Sequence, residues 1–67
     1  MELVKGYMTR AVRGRVRYVA VFADGTIKIT VNDQDRDCKS FNHGFRWKVI
    51  NELPDDLEFI GNYPANM

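Results

Sequence analysis

The stretch that decides the fold covers residues 15–31 and reads RVRYVAVFADGTIKITV. Two apolar runs flank Asp24-Gly25, a dipeptide that favours a two-residue β-hairpin turn because both residues tolerate a positive φ. A two-residue turn also sets the register. It predicts three apolar pairs on one face of the hairpin: Phe22 with Ile27, Ala20 with Ile29, and Tyr18 with Val31. We therefore predict a central hairpin over residues 15–31.

Residues 43–53 are predicted to form a helix. Asn42 or Ser40 can cap its start, and Pro54 ends it. Its apolar residues recur at helical spacing, at Phe45, Val49, Ile50 and Leu53. Further short strands are expected near residues 2–8, 39–41 and 57–60. The predicted class is α+β: a small three- to four-stranded antiparallel sheet with one helix, at about residues 43–53, packed on one face.

Length and composition favour one small folded domain. The chain has 67 residues, of which 45% are hydrophobic and 12% aromatic, which is enough for a core. We expect residues 1–67 to form a single domain with a loose tail at residues 63–67. The net charge of +1 gives no overall attraction to nucleic acid or membrane, and no apolar run is long enough to cross a bilayer. A single cysteine, Cys38, fits a soluble cytoplasmic protein.

An alternating row of arginines precedes the hairpin. Because side chains alternate along a strand, Arg13, Arg15 and Arg17 would line one face, spaced about 6.5–7 Å apart. That spacing is close to the separation of phosphates along a nucleic-acid strand. Lys28 on the neighbouring strand would extend the same face. A guanidinium is always charged and can hold two phosphate oxygens at once, so the row is a candidate nucleic-acid surface.

Three partners for this row remain open. A bulge of one residue near Asn32 would place Asp33, Asp35 and Asp37 across from Arg17, Arg15 and Arg13 as a ladder of ion pairs. We favour this internal neutralisation over a nucleic-acid surface, and a nucleic-acid surface over an acidic protein partner.

The tripeptide Arg46-Trp47-Lys48 is a second candidate binding site. Tryptophan is enriched at interface hot spots, and neighbouring cations suit stacking on a base. The simpler alternative, which we favour, is that Trp47 covers the sheet edge or packs on the N-terminal segment. If the site binds protein, an exposed sheet edge could contribute to the contact and could also join two copies of the chain.

The remaining motifs predict no catalytic or metal site. Asp33-x-Asp35-x-Asp37 matches the start of an EF-hand loop, but Cys38 stands where that loop needs glycine and Gly44 where it needs glutamate. Cys38 and His43 alone provide neither a nucleophile with an oriented base nor a zinc site. We expect no enzyme activity, no metal and no cofactor.

The order of hairpin, third strand and helix across residues 14–53 resembles the small arm-binding domains of phage and transposon integrases. The residues that carry this resemblance are the segment 15–22, Asp24-Gly25, Ser40-Phe41 and the helix after them. The resemblance implies a sheet face that contacts DNA. The resulting hypothesis is a small regulatory protein, of the kind found as accessory proteins of phages or mobile elements, that binds nucleic acid through its arginines. The alternative is a modulator of a host protein that docks through a sheet edge and Trp47.

Overall fold

The computed structural model describes residues 3–36 and 45–64. This part of the chain is all-β and contains seven strands: β1 (Leu3–Met8), β2 (Arg15–Val16), β3 (Tyr18–Val21), β4 (Ile27–Thr30), β5 (Gln34–Asp35), β6 (Trp47–Ile50) and β7 (Glu58–Pro64). Five strands form one antiparallel sheet in the order β6-β4-β3-β1-β7, while β2 pairs with β5 in a second, small sheet. The predicted α+β class is therefore wrong. The same ranges contain no helix that is long and apolar enough to cross a membrane.

The segment predicted to be a helix forms an edge strand instead. Trp47–Ile50 is β6, and it pairs antiparallel with β4, where Val49 lies opposite Lys28. Two of the apolar residues that would have buried the helix, Val49 and Leu53, are 64% and 45% exposed. Trp, Val and Ile favour strands, and pairing with β4 satisfies backbone groups that an open sheet edge would leave unpaired. The pairing with β4 therefore outweighs the helical spacing.

The resemblance to integrase arm-binding domains loses its structural basis for the same reason. It depended on a helix after the third strand, and residues 45–53 contain none. Ser40 and Phe41, which were to form that third strand, lie outside the described residues, as do residues 43 and 44 of the expected helix.

The central hairpin is confirmed, but its register is shifted by one residue. β3 pairs with β4 so that Val19 lies opposite Ile29 and Ala20 opposite Lys28. The cause is a turn of three residues rather than two. The Phe22 amide donates to the Thr26 carbonyl at 2.8 Å, and the Gly25 amide donates to the Phe22 carbonyl at 3.0 Å. Gly25 has φ 93°, as expected for a type I turn followed by a glycine bulge. The predicted pairs Phe22–Ile27, Ala20–Ile29 and Tyr18–Val31 do not form.

The carboxylate of Asp24 supports this turn. Its Oδ1 accepts a hydrogen bond of 2.9 Å from the Thr26 amide, and this bond holds the pKa of Asp24 below its ordinary value of 3.8. A lowered pKa in the folded state stabilises the fold above about pH 3.8, and the stabilisation is lost as the pH falls through the folded-state pKa.

We therefore expect the melting temperature to fall on acidification more for the wild type than for Asp24→Asn. Asparagine keeps an oxygen acceptor at this position but does not titrate. Thermal unfolding of both proteins at neutral and strongly acidic pH measures the difference. Parallel pH profiles would show that Asp24 does not support the turn in this way.

The central strand β3 is buried on both faces. Tyr18, Val19 and Ala20 are at most 3% exposed, and strand alternation places Val19 on the face opposite to the other two. Tyr18 and Ala20 form a core cluster with Val4 and Val16. The partly buried side chains that pack against this cluster include those of Met8, Phe22, Phe45, Trp47, Ile60 and Tyr63.

The last strand closes the sheet against the first. β7 pairs antiparallel with β1, and the register shifts at a bulge between Gly6 and Tyr7. Beyond the bulge, the rings of Tyr7 and Phe59 meet edge to face with centroids 5.4 Å apart. Tyr63 and Pro64, which the sequence placed in a loose tail, belong to β7, and residues 65–67 lie outside the described part of the chain.

Candidate nucleic-acid interface

The candidate interface begins where the long hairpin bends between β2 and β3. At the bend, the Arg17 amide donates to the Thr9 hydroxyl at 2.9 Å, and the Tyr18 amide donates to the Thr30 hydroxyl at 3.1 Å. Thr30 is fully buried. Two consecutive backbone amides thus donate to side-chain hydroxyls instead of to main-chain carbonyls of a neighbouring strand. The ladder is interrupted here, so β2 and β5 form a separate small sheet, whose strand β2 contains Arg15 and lies between Arg13 and Arg17 in the chain.

The strand opposite the bend contains two extra residues. Val19 lies opposite Ile29, but Val16 lies opposite Gln34, so three steps along one strand match five along the other. The sequence predicted one extra residue near Asn32. The second is needed because the hairpin register is itself shifted by one. The final pairing in the small sheet is nevertheless the predicted one, with Arg15 opposite Asp35.

The predicted ion-pair ladder is present in part. Arg17 Nε lies 3.0 Å from Asp33 Oδ1, and both side chains are about half exposed, at 42% and 59%. A pair with this exposure contributes at most about 1 kcal/mol. Arg15 donates from Nη2 to the Asp33 main-chain carbonyl at 3.0 Å. Asp37, the third acid of the predicted ladder, lies outside the described residues.

Arg13 does not lie on the strand, because the chain turns sharply at this point. The Val12 amide donates to the Arg15 carbonyl at 2.9 Å, and the Arg15 amide donates back to the Val12 carbonyl at 3.0 Å. The two residues between them, Arg13 and Gly14, have φ 56° and 76°. Positive φ at both positions of a two-residue loop defines a type I′ hairpin turn. The expected row of three strand arginines is therefore wrong: Arg13 lies at the tip of a second hairpin and Arg17 at the bend between β2 and β3, so that only Arg15 lies on a strand.

This tip is fastened to the small sheet. The Arg36 amide donates to the Gly14 carbonyl at 3.0 Å. Residues 35 and 36 are held in turn by Tyr18, whose hydroxyl donates to the Asp35 and Arg36 carbonyls at 3.1 and 3.3 Å. A buried core residue thus positions the exposed hairpin tip through two successive hydrogen bonds.

Four arginines line one open groove beside this tip, which we call the arginine groove. Its volume is about 580 Å³, and its lining residues are Thr9, Arg10, Val12, Arg13, Arg15, Arg17 and Asp33. Among the lining residues that the structure describes, one carboxylate faces four guanidinium groups, so this part of the groove carries an excess of positive charge although the whole chain is nearly neutral. Such a concentration of like charge creates a local field for anions.

Arg10 is the groove residue that the sequence analysis missed. Arg10 lies just after β1 and outside the alternating row of arginines. It reaches the arginine groove because the chain folds back at residues 12–15. The available signal was its place in the basic segment that runs from Lys5 to Arg17. Thr9 was missed as well. Its hydroxyl accepts a hydrogen bond from the Arg17 amide, and this contact forms only when the chain bends at Arg17.

The other predicted site residues lie elsewhere. Trp47 packs against the core cluster, with its ring tilted against that of Phe45 at 5.8 Å, which supports the packing interpretation of this tryptophan. Arg46 and Lys48 are exposed on either side of it. Lys28 Nζ lies 5.1 Å from the ring centroid of Phe22. None of these four residues lines the arginine groove, and their contact with a partner or a second copy of the chain stays a prediction.

Residues 3–36 and 45–64 contain no group of three or more His, Cys, Asp and Glu side chains that could hold a metal ion. Asp33, the first residue of the EF-hand-like motif, bonds to Arg17. Cys38, His43 and Gly44 lie outside the described part of the chain.

Comparisons of this chain with protein-family models, with curated protein sequences and with solved structures return no match.

Proposed function

We propose that the chain is a small non-enzymatic domain that binds the phosphate backbone of nucleic acid through the arginine groove. The observation that carries the proposal is the lining of that groove, where Arg10, Arg13, Arg15 and Arg17 face a single carboxylate, that of Asp33, within residues 3–36 and 45–64. Guanidinium groups suit phosphate because each can donate two hydrogen bonds to a pair of oxygens while keeping its charge.

The ion pairs of the groove also support this proposal. Among the described residues, Arg17 is the groove arginine with a carboxylate partner, and that pair is open to solvent. Arg15 bonds to a neutral carbonyl, which leaves its charge uncompensated by that contact. The contacts with Asp33 therefore neutralise only part of the positive charge of the groove arginines.

Binding should depend steeply on salt. Each phosphate neutralised on B-DNA lowers the logarithm of the affinity by about 0.9 per decade of salt, so three or four contacts predict a slope of about −3 to −4. Fluorescence anisotropy of a labelled short duplex, measured between about 50 and 200 mM salt, gives this slope. Absence of binding at the lowest salt would contradict the proposal and favour the alternative, an acidic protein partner in the same groove.

The proposed function also implies a cellular location. We place the domain in the cytoplasm, where it would meet nucleic acid and where the lone Cys38 would stay reduced. A role as an accessory regulator of a phage or mobile element stays a prediction.

A further inference from the structure

Arg13 occupies a backbone conformation that its side chain does not favour. The first position of a type I′ turn requires positive φ and is normally filled by Asn, Asp or Gly. Arg13 has φ 56° and is exposed. Among the described residues it makes no hydrogen bond or ion pair that would compensate the strain. Residues held in such conformations are concentrated at binding and catalytic sites.

We propose that Arg13 inserts into the minor groove of duplex DNA at A·T-rich sequence, while Arg10 and Arg15 contact phosphates beside it. This inference rests on the proposed function, because it assigns the kind of nucleic acid that the arginine groove binds. It also divides two roles among the three arginines: Arg13 reads the shape of the minor groove, and Arg10 and Arg15 supply general affinity.

The lining of the arginine groove favours a duplex over a single strand. Proteins that bind single strands stack bases on exposed aromatic side chains. None of the described residues that line the arginine groove is aromatic. Tyr18, which follows Arg17 in the chain, is committed to packing, since its side chain is 3% exposed and its ring stacks on Phe45 with centroids 5.2 Å apart.

The shape of the tip favours the minor groove of B-DNA. That groove is about 6 Å wide, too narrow for a helix but wide enough for one side chain carried on a two-residue turn. It narrows further in A·T-rich tracts, where the negative potential that attracts arginine is strongest. The minor groove of A-form RNA is wide and shallow and lacks this effect.

The neighbour of Arg13 fits the same environment. Val12 is 66% exposed at the base of the tip. Proteins that read the minor groove with arginine frequently also insert an apolar side chain between base steps. A chain with net charge +1 also gains most from a site where the phosphates of both strands act on one guanidinium.

The test compares affinities for an A·T-rich and a G·C-rich duplex of equal length, for the wild type, Arg13→Asn and Arg10→Asn. We expect the wild type to prefer the A·T-rich duplex by about tenfold. Arg13→Asn should abolish the preference while raising the melting temperature, because asparagine favours the tip conformation. Arg10→Asn, the matched control, should weaken binding to both duplexes equally and keep the preference. Netropsin, a minor-groove ligand, should displace the wild type from the A·T-rich duplex.

The outcomes separate the two proposals. Salt-dependent binding with equal affinity for both duplexes, or with a preference that survives in Arg13→Asn, would overturn the minor-groove inference and leave the proposed function standing. Failure to bind either duplex at low salt would overturn the proposed function itself. A fall in the melting temperature of Arg13→Asn would contradict the strain argument on which the inference begins.

Discussion

Replacement of Arg10, Arg13 and Arg15 together by glutamine is expected to lower the affinity for a short DNA duplex by roughly 100-fold at moderate salt. The three guanidinium groups line the arginine groove and are exposed, so their charge can be removed without disturbing the core. The slope of log affinity against log salt should flatten by about 1.8, at about 0.9 for each of the two phosphates that Arg10 and Arg15 no longer neutralise. Arg17 is left in place because it is paired with Asp33.

A matched control distinguishes the effect of the arginine groove on DNA affinity from the effect of the net charge of the chain. Lys5, Arg46 and Lys48 are exposed and lie outside the lining of the arginine groove. Changing these three to glutamine removes the same amount of positive charge, and we expect an affinity within about twofold of the wild type, because exposed charges far from the bound duplex are screened. An equal reduction in both variants would show that net charge, or the Arg46-Trp47-Lys48 surface, governs binding.

Replacement of Tyr18 by alanine is expected to remove most of the protein's free energy of unfolding at room temperature. The ring is 3% exposed and stacks on Phe45, and its removal from the core should cost about 3–5 kcal/mol. Small domains have a free energy of unfolding of about 5–15 kcal/mol, and a chain of this size lies near the lower end. Urea denaturation followed by circular dichroism measures the loss.

The variant Tyr18→Phe isolates the hydroxyl group. It keeps the ring but removes the hydrogen bonds to the Asp35 and Arg36 carbonyls, so we expect a loss of about 0.5–1.5 kcal/mol with the fold intact. Because Arg36 bonds to Gly14, the amide exchange of the hairpin tip should also accelerate. A Tyr18→Ala protein as stable as the wild type would show that the core is not organised around this strand.

The central hairpin could be predicted because its information is local. Asp24-Gly25 between two apolar runs specifies a turn, and the two strands follow from it. The register could not be predicted, because the same dipeptide fits a two-residue turn or a three-residue turn with a glycine bulge. Phe22 bonds to Thr26 in the folded chain, and this choice shifts every pair by one residue.

The edge strand β6 could not be predicted from local pattern. Phe45, Val49 and Leu53 recur at helical spacing, and a short apolar run is ambiguous between helix and strand. The decisive interaction is with β4, some twenty residues earlier in the chain. The pairing of β1 with β7 joins residues still further apart in the chain. The strand order of the main sheet therefore could not be predicted from patterns within short segments of sequence.

The candidate site was predicted in part for similar reasons. Arg15 and Arg17 follow from strand alternation, and the pairing of Arg15 with Asp35 follows from a bulge that the polar segment suggested. Arg13 was misplaced because an Arg-Gly turn lacks the Asn or Asp that normally signals positive φ at the first position. Arg10 joins the groove only when the chain folds back on itself.

NMR maps the nucleic-acid contact directly, when ¹H–¹⁵N spectra of the full chain are recorded during titration with a short A·T-rich duplex. We expect the largest shifts on the backbone amides of residues 9–17 and on the arginine Nε–H signals of the arginine groove. Small shifts are expected at Lys5 and at residues 46–50. Shifts concentrated around Arg46-Trp47-Lys48, or spread evenly over all exposed cations, would contradict the arginine groove as the binding site.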